Sequence, residues 1–543
     1  MQALARRAVA ALRGWVEPNL RTFQQERQPL VWALALLIGL AAGAVAILFR
    51  ETIGLVQWLW LGSASENTLT AAANVAWWII PLGPVLGGIA VGILVYRIST
   101  RRAGGVADVI EARAYSGRNL GLSDGIWSAV VSAITVGAGG SAGREGPIVH
   151  LGATLGEAVS RRAALPEWCR RTLLSAGVAS AVAASFNAPF AGMLFAHEVV
   201  LGHYAIRSFV PIMLASTAGS LLSRQWFGPD AAFAVPDYAI VSNWEFPAFA
   251  LLGVVCAAVA LLFQLALLLA DGLARQVTMP LWLRPVLGGV IVGSIGLAFP
   301  QVLGVGYELT DLALSGELTL SLALILIVMK TLATAVTLGS RFGGGIFSPA
   351  IVLGALAGSV FGMLAAAVFP GLASSGGLYA MLGMGAVAGA VFGAPISTAM
   401  IVFELTGGYG LSVALLLTVA ISQGIVHAAH GYSWFQWQLR MRGLDLREGP
   451  HKPLGSNARV MDFMDPLPPE TEPQRFDPER GTTALKPTDT IAAALRAFDT
   501  GGHDRLPVVD PADATTVIAW ASHVAALRHF NRALVGTSVE EHR

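Results

Sequence analysis

The 543 residues are 55% hydrophobic and only 13% charged, with a formal net charge of +1 and a mean hydropathy of +0.63. That balance is wrong for a soluble enzyme and offers no field to attract nucleic acid. Two cysteines, Cys169 and Cys256, are too few for a disulfide framework or a thiolate metal cluster, and no cofactor or metal is expected.

Residues 1–28 carry Arg6, Arg7, Arg13, Arg21 and Arg27 ahead of an apolar run too long for the core of a cleavable signal. Arginine-rich flanks stay inside, so this basic N-terminal segment is expected to be cytoplasmic. A membrane span needs roughly 20 apolar residues. Charge-free stretches of that order run Pro29 to Phe49, Ala71 to Tyr96, Thr172 to Ala196, Phe246 to Ala270 and Pro285 to Tyr307. Trp58, Trp60, Trp77 and Trp78 fit interfacial belts. The whole of 342–403 is uncharged, yet Gly343-Gly344-Gly345, Pro349, Pro370, Gly376-Gly377 and Pro395 interrupt it. Its helices are therefore predicted to be short, tilted or broken, and such breaks survive in a bilayer only where protein or water covers the freed backbone.

The interruptions repeat. With Pro147 placed on Pro349, GREGPIVHLGA (143–153) superposes on GIFSPAIVLGA (345–355) at an offset of 202. FNAPFAGMLFAHE (186–198) lines up with FGAPISTAMIVFE (392–404) at an offset of 206. Two motif pairs in one order signal a duplicated unit, with halves at about 29–225 and 246–430, and such duplications place the transported ion between the halves near the midplane. After His430 polar residues return: 446–456 is expected to be a linker and 457–543 a small cytoplasmic domain. There LKPTDTIAAALRAFDTGGHDRLPVVD (485–510) predicts an extended lead-in, an amphipathic helix, a turn and a short strand at Leu506 to Val509. This stretch resembles one CBS motif. Such motifs come in pairs and only one is found, which argues against an adenine-nucleotide site within a single chain.

GSAGREGP (140–147) carries the first chemistry. Pro147 suits the first turn of a helix. The amides of Arg144, Glu145 and Gly146 then point forward, unpaired, with the positive end of the helix dipole behind them. That is an anion site built from backbone. GGGIFSP (343–349) repeats the construction with the amides of Ile346 and Phe347. Partial charges suit a permeating halide, because full charges in low dielectric hold it too tightly to release. The alternative is two ordinary helix starts capped by their neighbours.

GSAGREGP, GGGIFSPA and FNAPFAGMLFAHE resemble the signature segments of the CLC family of chloride channels and chloride/proton exchangers, over roughly residues 30–445. The resemblance implies an all-α membrane protein: a CLC-type inverted-repeat helical bundle (29–445) with broken re-entrant helices, carrying a small α/β CBS-like C-terminal domain. It implies a homodimer with an anion pathway in each subunit, set in a lipid bilayer, here a bacterial inner membrane with both termini cytoplasmic. Glu145 matches the family's gating glutamate, which occupies an anion site when ionised and leaves it when protonated. The implied anion-binding set is Gly104, Arg144, Glu145, Gly146, Ile346, Phe347 and Phe435, with Arg144 acting through structure or potential rather than direct contact. An ion pair between Arg144 and Glu145 is the competing role for that glutamate.

Three departures bear on mechanism. Where the family often has GSGIP, this chain reads AGGVAD (103–108), with Gly104 at the serine and Ala107 at the proline. Where many members have a tyrosine near the end of the last membrane helix, Phe435 keeps the ring and loses the O–H. Where exchangers carry a second acidic residue as an internal proton relay, Glu198 is followed by Val199, which cannot hold a proton. His197 and Glu198 remain as candidates for a proton path beside Val199, although Glu198, paralleled by Glu404, also fits a structural carboxylate. Lys330 and Arg341 could raise the potential for anions, or Lys330 could pair with a carboxylate. His150 fits a satisfied polar contact better than a ligand. The expected function is transport of chloride, leaning to a voltage-gated channel or weak coupling because of Val199; a chloride/proton antiporter is the alternative. An intramembrane enzyme using Glu145, His197 and Glu198 is remote, since no H-E-x-x-H motif is present.

Overall fold

The computed structural model describes residues 2–115, 118–229, 233, 240–406, 411–445, 455, 458–468, 474–476 and 483–542, the side chains of 2–13 and 536–542 excepted. Apart from Gly455, the predicted linker 446–456 lies outside the described residues. The chain divides into two compact units, Met1–Ile110 with Leu120–Trp437, and Glu111–Asn119 with Gln438–Arg543.

In the first unit, α1 (Gln2–Gln25) precedes a run of helices: α2 (Gln28–Leu61), α3 (Thr68–Ala73), α4 (Ile79–Leu94), α5 (Val106–Ala114, whose last four residues fall in the second unit), α6 (Leu122–Gly137), α7 (Glu145–Arg162), α8 (Glu167–Phe186), α9 (Pro189–Phe195) and α10 (Ile206–Phe227). A second run follows: α11 (Phe246–Gln276), α12 (Leu283–Ala298), α13 (Tyr307–Ser315), α14 (Leu320–Gly339), α15 (Phe347–Val368), α16 (Gly376–Phe392), α17 (Pro395–Thr406) and α18 (Ser412–His430), closed by α19 (Trp434–Arg440). Among the described residues seven helices are long and apolar enough to cross a bilayer, and the chain is a multi-pass integral membrane protein. The two runs match element by element, α2 with α11, α4 with α12 and α5 through α10 with α13 through α18.

The halves meet most closely where α4 crosses α12. A Cβ on Gly88 would stand 2.5 Å from the Pro285 carbonyl oxygen, and one on Gly289 would stand 2.2 Å from that of Pro84. No residue larger than glycine fits this crossing, and in a bilayer close backbone approach is what drives helices together. The sequence carries the pair as PVLGGIAVG (84–92) and PVLGGVIVG (285–293), a third repeat at an offset of 201 that joins the two already aligned.

Several helices are interrupted at punctuated positions. The charge-free run Thr172 to Ala196 is two helices rather than one span, because Asn187 turns left-handed (φ 57°) and Pro189 starts α9. Gly393 (φ 68°) and Pro395 repeat that break between α16 and α17. The uncharged 342–403 region holds α15, α16 and most of α17, in keeping with its broken-helix expectation. Trp58, Trp77 and Trp78 are exposed, as a belt requires, but Trp60 packs over Gly83 and donates its indole N–H to the Gly137 carbonyl at 2.8 Å.

In the second unit, β4 (Thr516–Ser522) is central: β3 (Arg505–Val509) pairs antiparallel on one edge, while β1 (Asp465–Pro466) and β2 (Gln474–Arg475) share the other. Helix Ile491–Gly501 starts on a Thr490 cap and packs Ile491, Ala494 and Phe498 against Leu506, Val508 and Ala519. The extended lead-in, helix, turn and strand of 485–510 all form, with Leu485 bridged to Val508. Residues 111–119 also belong to this unit, which sequence did not indicate: the Glu111 carboxylate accepts from Arg442 at 2.8 Å and pairs with Arg118 at 2.6 Å.

Candidate anion site at the paired helix starts

The starts of α7 and α15 touch. Gly143 N–H donates to the Gly345 carbonyl at 2.7 Å and Gly345 N–H donates to that of Gly143 at 2.8 Å, a two-residue antiparallel bridge. One step back, Thr135 on α6 accepts from Gly343 N–H at 3.0 Å, and Thr337 on α14 accepts from Ser141 N–H at 3.2 Å. Each half therefore holds the other's glycine loop through the same pair of contacts. Pro147 and Pro349 lie in the first turns, where a missing N–H costs nothing. The remaining first-turn amides, those of Glu145, Gly146 and Phe347 among them, have no intrahelical partner.

Glu145 opens α7 and is fully buried. Its Oε1 accepts from the Ser348 hydroxyl of α15 at 2.6 Å, whereas Oε2 is buried with no side-chain partner among the described residues, and the amides of Glu145 and Ser348 face the carboxylate. A Cβ on Gly143 would stand 2.6 Å from Oε2, so the seat is shaped by the glycine.

Arg144 lies at 3.9 Å from Glu145 through Nε, but its hydrogen bonds go elsewhere. Its guanidinium donates to the Ser185 carbonyl at 3.0 Å and to the Tyr307 hydroxyl at 3.1 Å, and it pairs with Glu66, itself paired with Arg50 at 2.6 Å. It is thus a fixed positive charge behind the site, not a freely moving ligand, and the direct Arg144–Glu145 pair is a minor contact.

Ile346 caps α15 and Phe347 begins it, both buried. The Phe347 ring stacks on Phe392 with centroids 4.3 Å apart, and Phe392 stacks in turn on Phe435 at 5.9 Å. Phe186 and Phe195 close on Phe347 from the first half, at 5.1 and 5.6 Å. Phe435 is thereby joined to the α15 start through one intervening ring. Gly104 precedes α5, its N–H donates to the Ser128 hydroxyl at 3.0 Å, and the His150 ring of α7 covers its Cα. Against the satisfied polar contact expected from sequence, His150 Nδ1 is buried without a partner among the described residues.

His197, Glu198 and Val199 are not joined to Glu145 by any hydrogen bond or ion pair among the described residues. They form a π-helical turn after α9. Glu198 accepts from the amides of Ile396 (3.1 Å) and Ser397 (2.7 Å) at the start of α17. Glu404 does the same for α9, accepting from Phe190 (3.2 Å) and Ala191 (2.7 Å). The two glutamates cap each other's repeat. His197 Nδ1 lies 2.9 Å from the His203 carbonyl, while its Nε2 is buried and unpartnered. Lys330 has no carboxylate beside it among the described residues: Nζ donates to the carbonyls of Val302 (2.9 Å) and Gly304 (3.0 Å). Arg341 occupies a left-handed turn (φ 69°) before the second glycine loop. Ser348 and Phe392 were missed in the sequence; the alignment of Gly146 with Ser348 was the available signal for the first.

A multi-pass membrane protein made of two inverted halves, with one buried carboxylate where their helix starts meet, is the class this geometry defines. Residues 87–427 match the family model for the voltage gated chloride channel, and the chain belongs to that family. It is 32% identical over 401 residues to a putative chloride channel protein ClcB-like of Ralstonia nicotianae, covering 73% of this chain and 93% of that protein. It is 30% identical over 416 residues to the H(+)/Cl(-) exchange transporter ClcA of Klebsiella pneumoniae, covering 73% and 86%. The crystal structure of a slow cyanobacterial Cl-/H+ antiporter shares the fold, with a TM-score of 0.68 at 20% identity over 76% of this chain and 97% of that one.

Proposed function

We propose that this chain carries chloride across the membrane through a pathway gated by Glu145, with coupling to protons weak or absent, as in a voltage-gated channel. The observation that carries the reading is the buried Glu145 seat between α7 and α15, where one carboxylate oxygen accepts from the Ser348 hydroxyl and the carboxylate faces the first-turn amides of Glu145 and Ser348. A carboxylate at a helix start competes with an anion for the same amides. Protonation ends that competition, so chloride occupancy and proton occupancy of Glu145 oppose one another. Gly104, Gly146, Ile346, Phe347 and Phe435 line the pathway in this reading, and Arg144 supplies positive potential from behind. Weak coupling rests on Val199 and on Glu198, whose carboxylate is occupied by the amides of α17.

Proton-coupled exchange is the second reading. It is favoured by the Klebsiella relative named as an H(+)/Cl(-) exchanger and by the buried, unpartnered Nε2 of His197. No enzymatic reaction is part of either reading. The protein is proposed to sit as a homodimer in a bacterial inner membrane with both termini cytoplasmic, and residues 457–543 are proposed to be a single CBS-like domain without a nucleotide site of its own.

The test is reconstitution into chloride-loaded liposomes, with chloride efflux and lumenal pH recorded with and without valinomycin. Chloride efflux without proton movement supports the channel-like reading. Uphill proton movement driven by chloride replaces it with exchange, and folded protein that moves no anion ends both.

A further inference from the structure

His150 presents a buried imidazole whose Nδ1 no group among the described residues satisfies. It lies on α7 five residues beyond Glu145, about 7.5 Å along the helix axis, and is 4% exposed. Nδ1 is buried without a partner, and the ring makes no hydrogen bond among the described residues. A neutral imidazole carries one N–H donor whichever tautomer it adopts, and an imidazolium carries two. Buried donors are nearly always paired, so an unpaired one points to a group the protein does not supply.

The ring's position says what that group is. A Cβ on Gly104 would stand 2.5 Å from both Cε1 and Nε2 of His150, so the imidazole fills the space where any side chain at 104 would begin. Gly104 has no donor to offer there, because its own N–H is given to Ser128. Beside it, nothing lies within 4 Å of a Cβ placed on Gly105, which leaves open space at the start of α5. The nearby Asp108 carboxylate does not repel an anion from that space: it is held bidentately by Arg102 at 3.0 and 2.5 Å and accepts from Gly105 N–H at 2.9 Å.

We propose that His150 is a ligand of the permeating anion, donating a ring N–H to it beside Gly104, where the chain has given up a side-chain hydroxyl. The inference rests on the reading of Gly104 as part of the anion pathway, and deepens it. Glycine at 104 and histidine at 150 are then one unit, since the histidine can reach the pathway only because position 104 has no Cβ.

Chloride binding is measured by titration calorimetry on the purified full chain in chloride-free buffer, with unfolding midpoint and gel-filtration profile recorded for every variant. His150→Phe keeps the ring and loses the donor, and should weaken chloride binding about tenfold, the scale of one hydrogen bond to a charged group. His150→Gln, which keeps an N–H, should stay within about threefold. Gly104→Ser with His150→Ala, which returns a hydroxyl to 104 and clears the clash, should recover most of the affinity lost in His150→Ala alone. Folded His150→Phe that binds chloride like wild type overturns the proposal. Should that variant not fold, the labelled ring nitrogens of wild-type His150 decide: their resonance must move on adding chloride and not on adding sulfate, and an unmoved resonance overturns it equally. Wild-type protein that neither binds nor transports chloride would instead sink the broader reading of the pathway.

Discussion

The two helix starts that meet at Gly143 and Gly345 share a backbone and differ in chemistry. Both present glycine, three variable residues and then a proline in the first turn, and each loop is held by a threonine of the opposite half. On that common frame Glu145 faces Phe347 in the alignment, Arg144 faces Ile346, and Gly146 faces Ser348. Glycine and proline survive duplication because the backbone path depends on them, whereas the side chains between them are free to diverge. Divergence has placed the carboxylate on one start and the hydroxyl that holds it on the other. The caps formed by Glu198 and Glu404 went the other way and kept the same residue in the same role.

Erasing the carboxylate should break the comparison most strongly. Glu145→Gln makes the α7 start as uncharged as the α15 start. At pH 7.5 its chloride efflux should exceed that of wild type by about thirtyfold, roughly 2 kcal/mol of lost competition. Wild-type flux should rise as pH falls, because protonation vacates the seat, while the variant stays flat from pH 4.5 to 7.5; liposome efflux at each pH checks both slopes. Next comes Ser348→Ala, which removes the side-chain hydrogen bond to Glu145 Oε1. A hydrogen bond to a charged group contributes about 1.5–3 kcal/mol, so efflux at pH 7.5 should rise about tenfold while its response to pH is retained. A pH-flat Ser348→Ala would mean that the hydroxyl does more than hold the seat.

Much of this was legible in the sequence because it is written in residues that control backbone. The duplicated halves, the broken helices of 342–403 and the two glycine loops all follow from Gly, Pro and the absence of charge. The break at Asn187 was not, since a left-handed asparagine inside an apolar run leaves no mark on hydropathy. The PVLGG repeat was present but is made of common apolar residues, and it becomes informative only when Gly88 and Gly289 are seen against opposing carbonyls. Side-chain partners were least legible. Nothing local ties Ser348 to Glu145, or His150 to Gly104, because those contacts cross 203 and 46 residues of chain. Glu111 was likewise hidden, as its partner Arg442 lies 331 residues away.

The conserved pair of caps offers a sharper and smaller test. Glu198→Gln and Glu404→Gln each weaken a charge-assisted cap on the opposite half, a change of about 0.5–2 kcal/mol by analogy with other helix caps. Their unfolding midpoints should fall by similar amounts, and neither should alter proton movement relative to chloride. If Glu198→Gln alone abolishes proton movement that wild type performs, the symmetry is structural only and Glu198 belongs to a proton path despite its bonds to Ile396 and Ser397.

The smallest expected effect comes from Phe435→Tyr. Phe435 is the outer ring of the stack that runs through Phe392 to Phe347, so the ring itself is fixed by packing and only the hydroxyl is new. A neutral donor added beside the pathway contributes about 0.5–1.5 kcal/mol net, which corresponds to a chloride affinity two- to tenfold tighter, read by calorimetry. Tighter binding slows release, so maximal efflux should fall as affinity rises. Unchanged affinity in folded Phe435→Tyr would mean that the stack supports the α15 start from behind and that Phe435 does not face the anion. The pathway would then be lined from the second half by Ile346 and Phe347 alone, which makes the two halves less alike at the site than their shared glycines suggest.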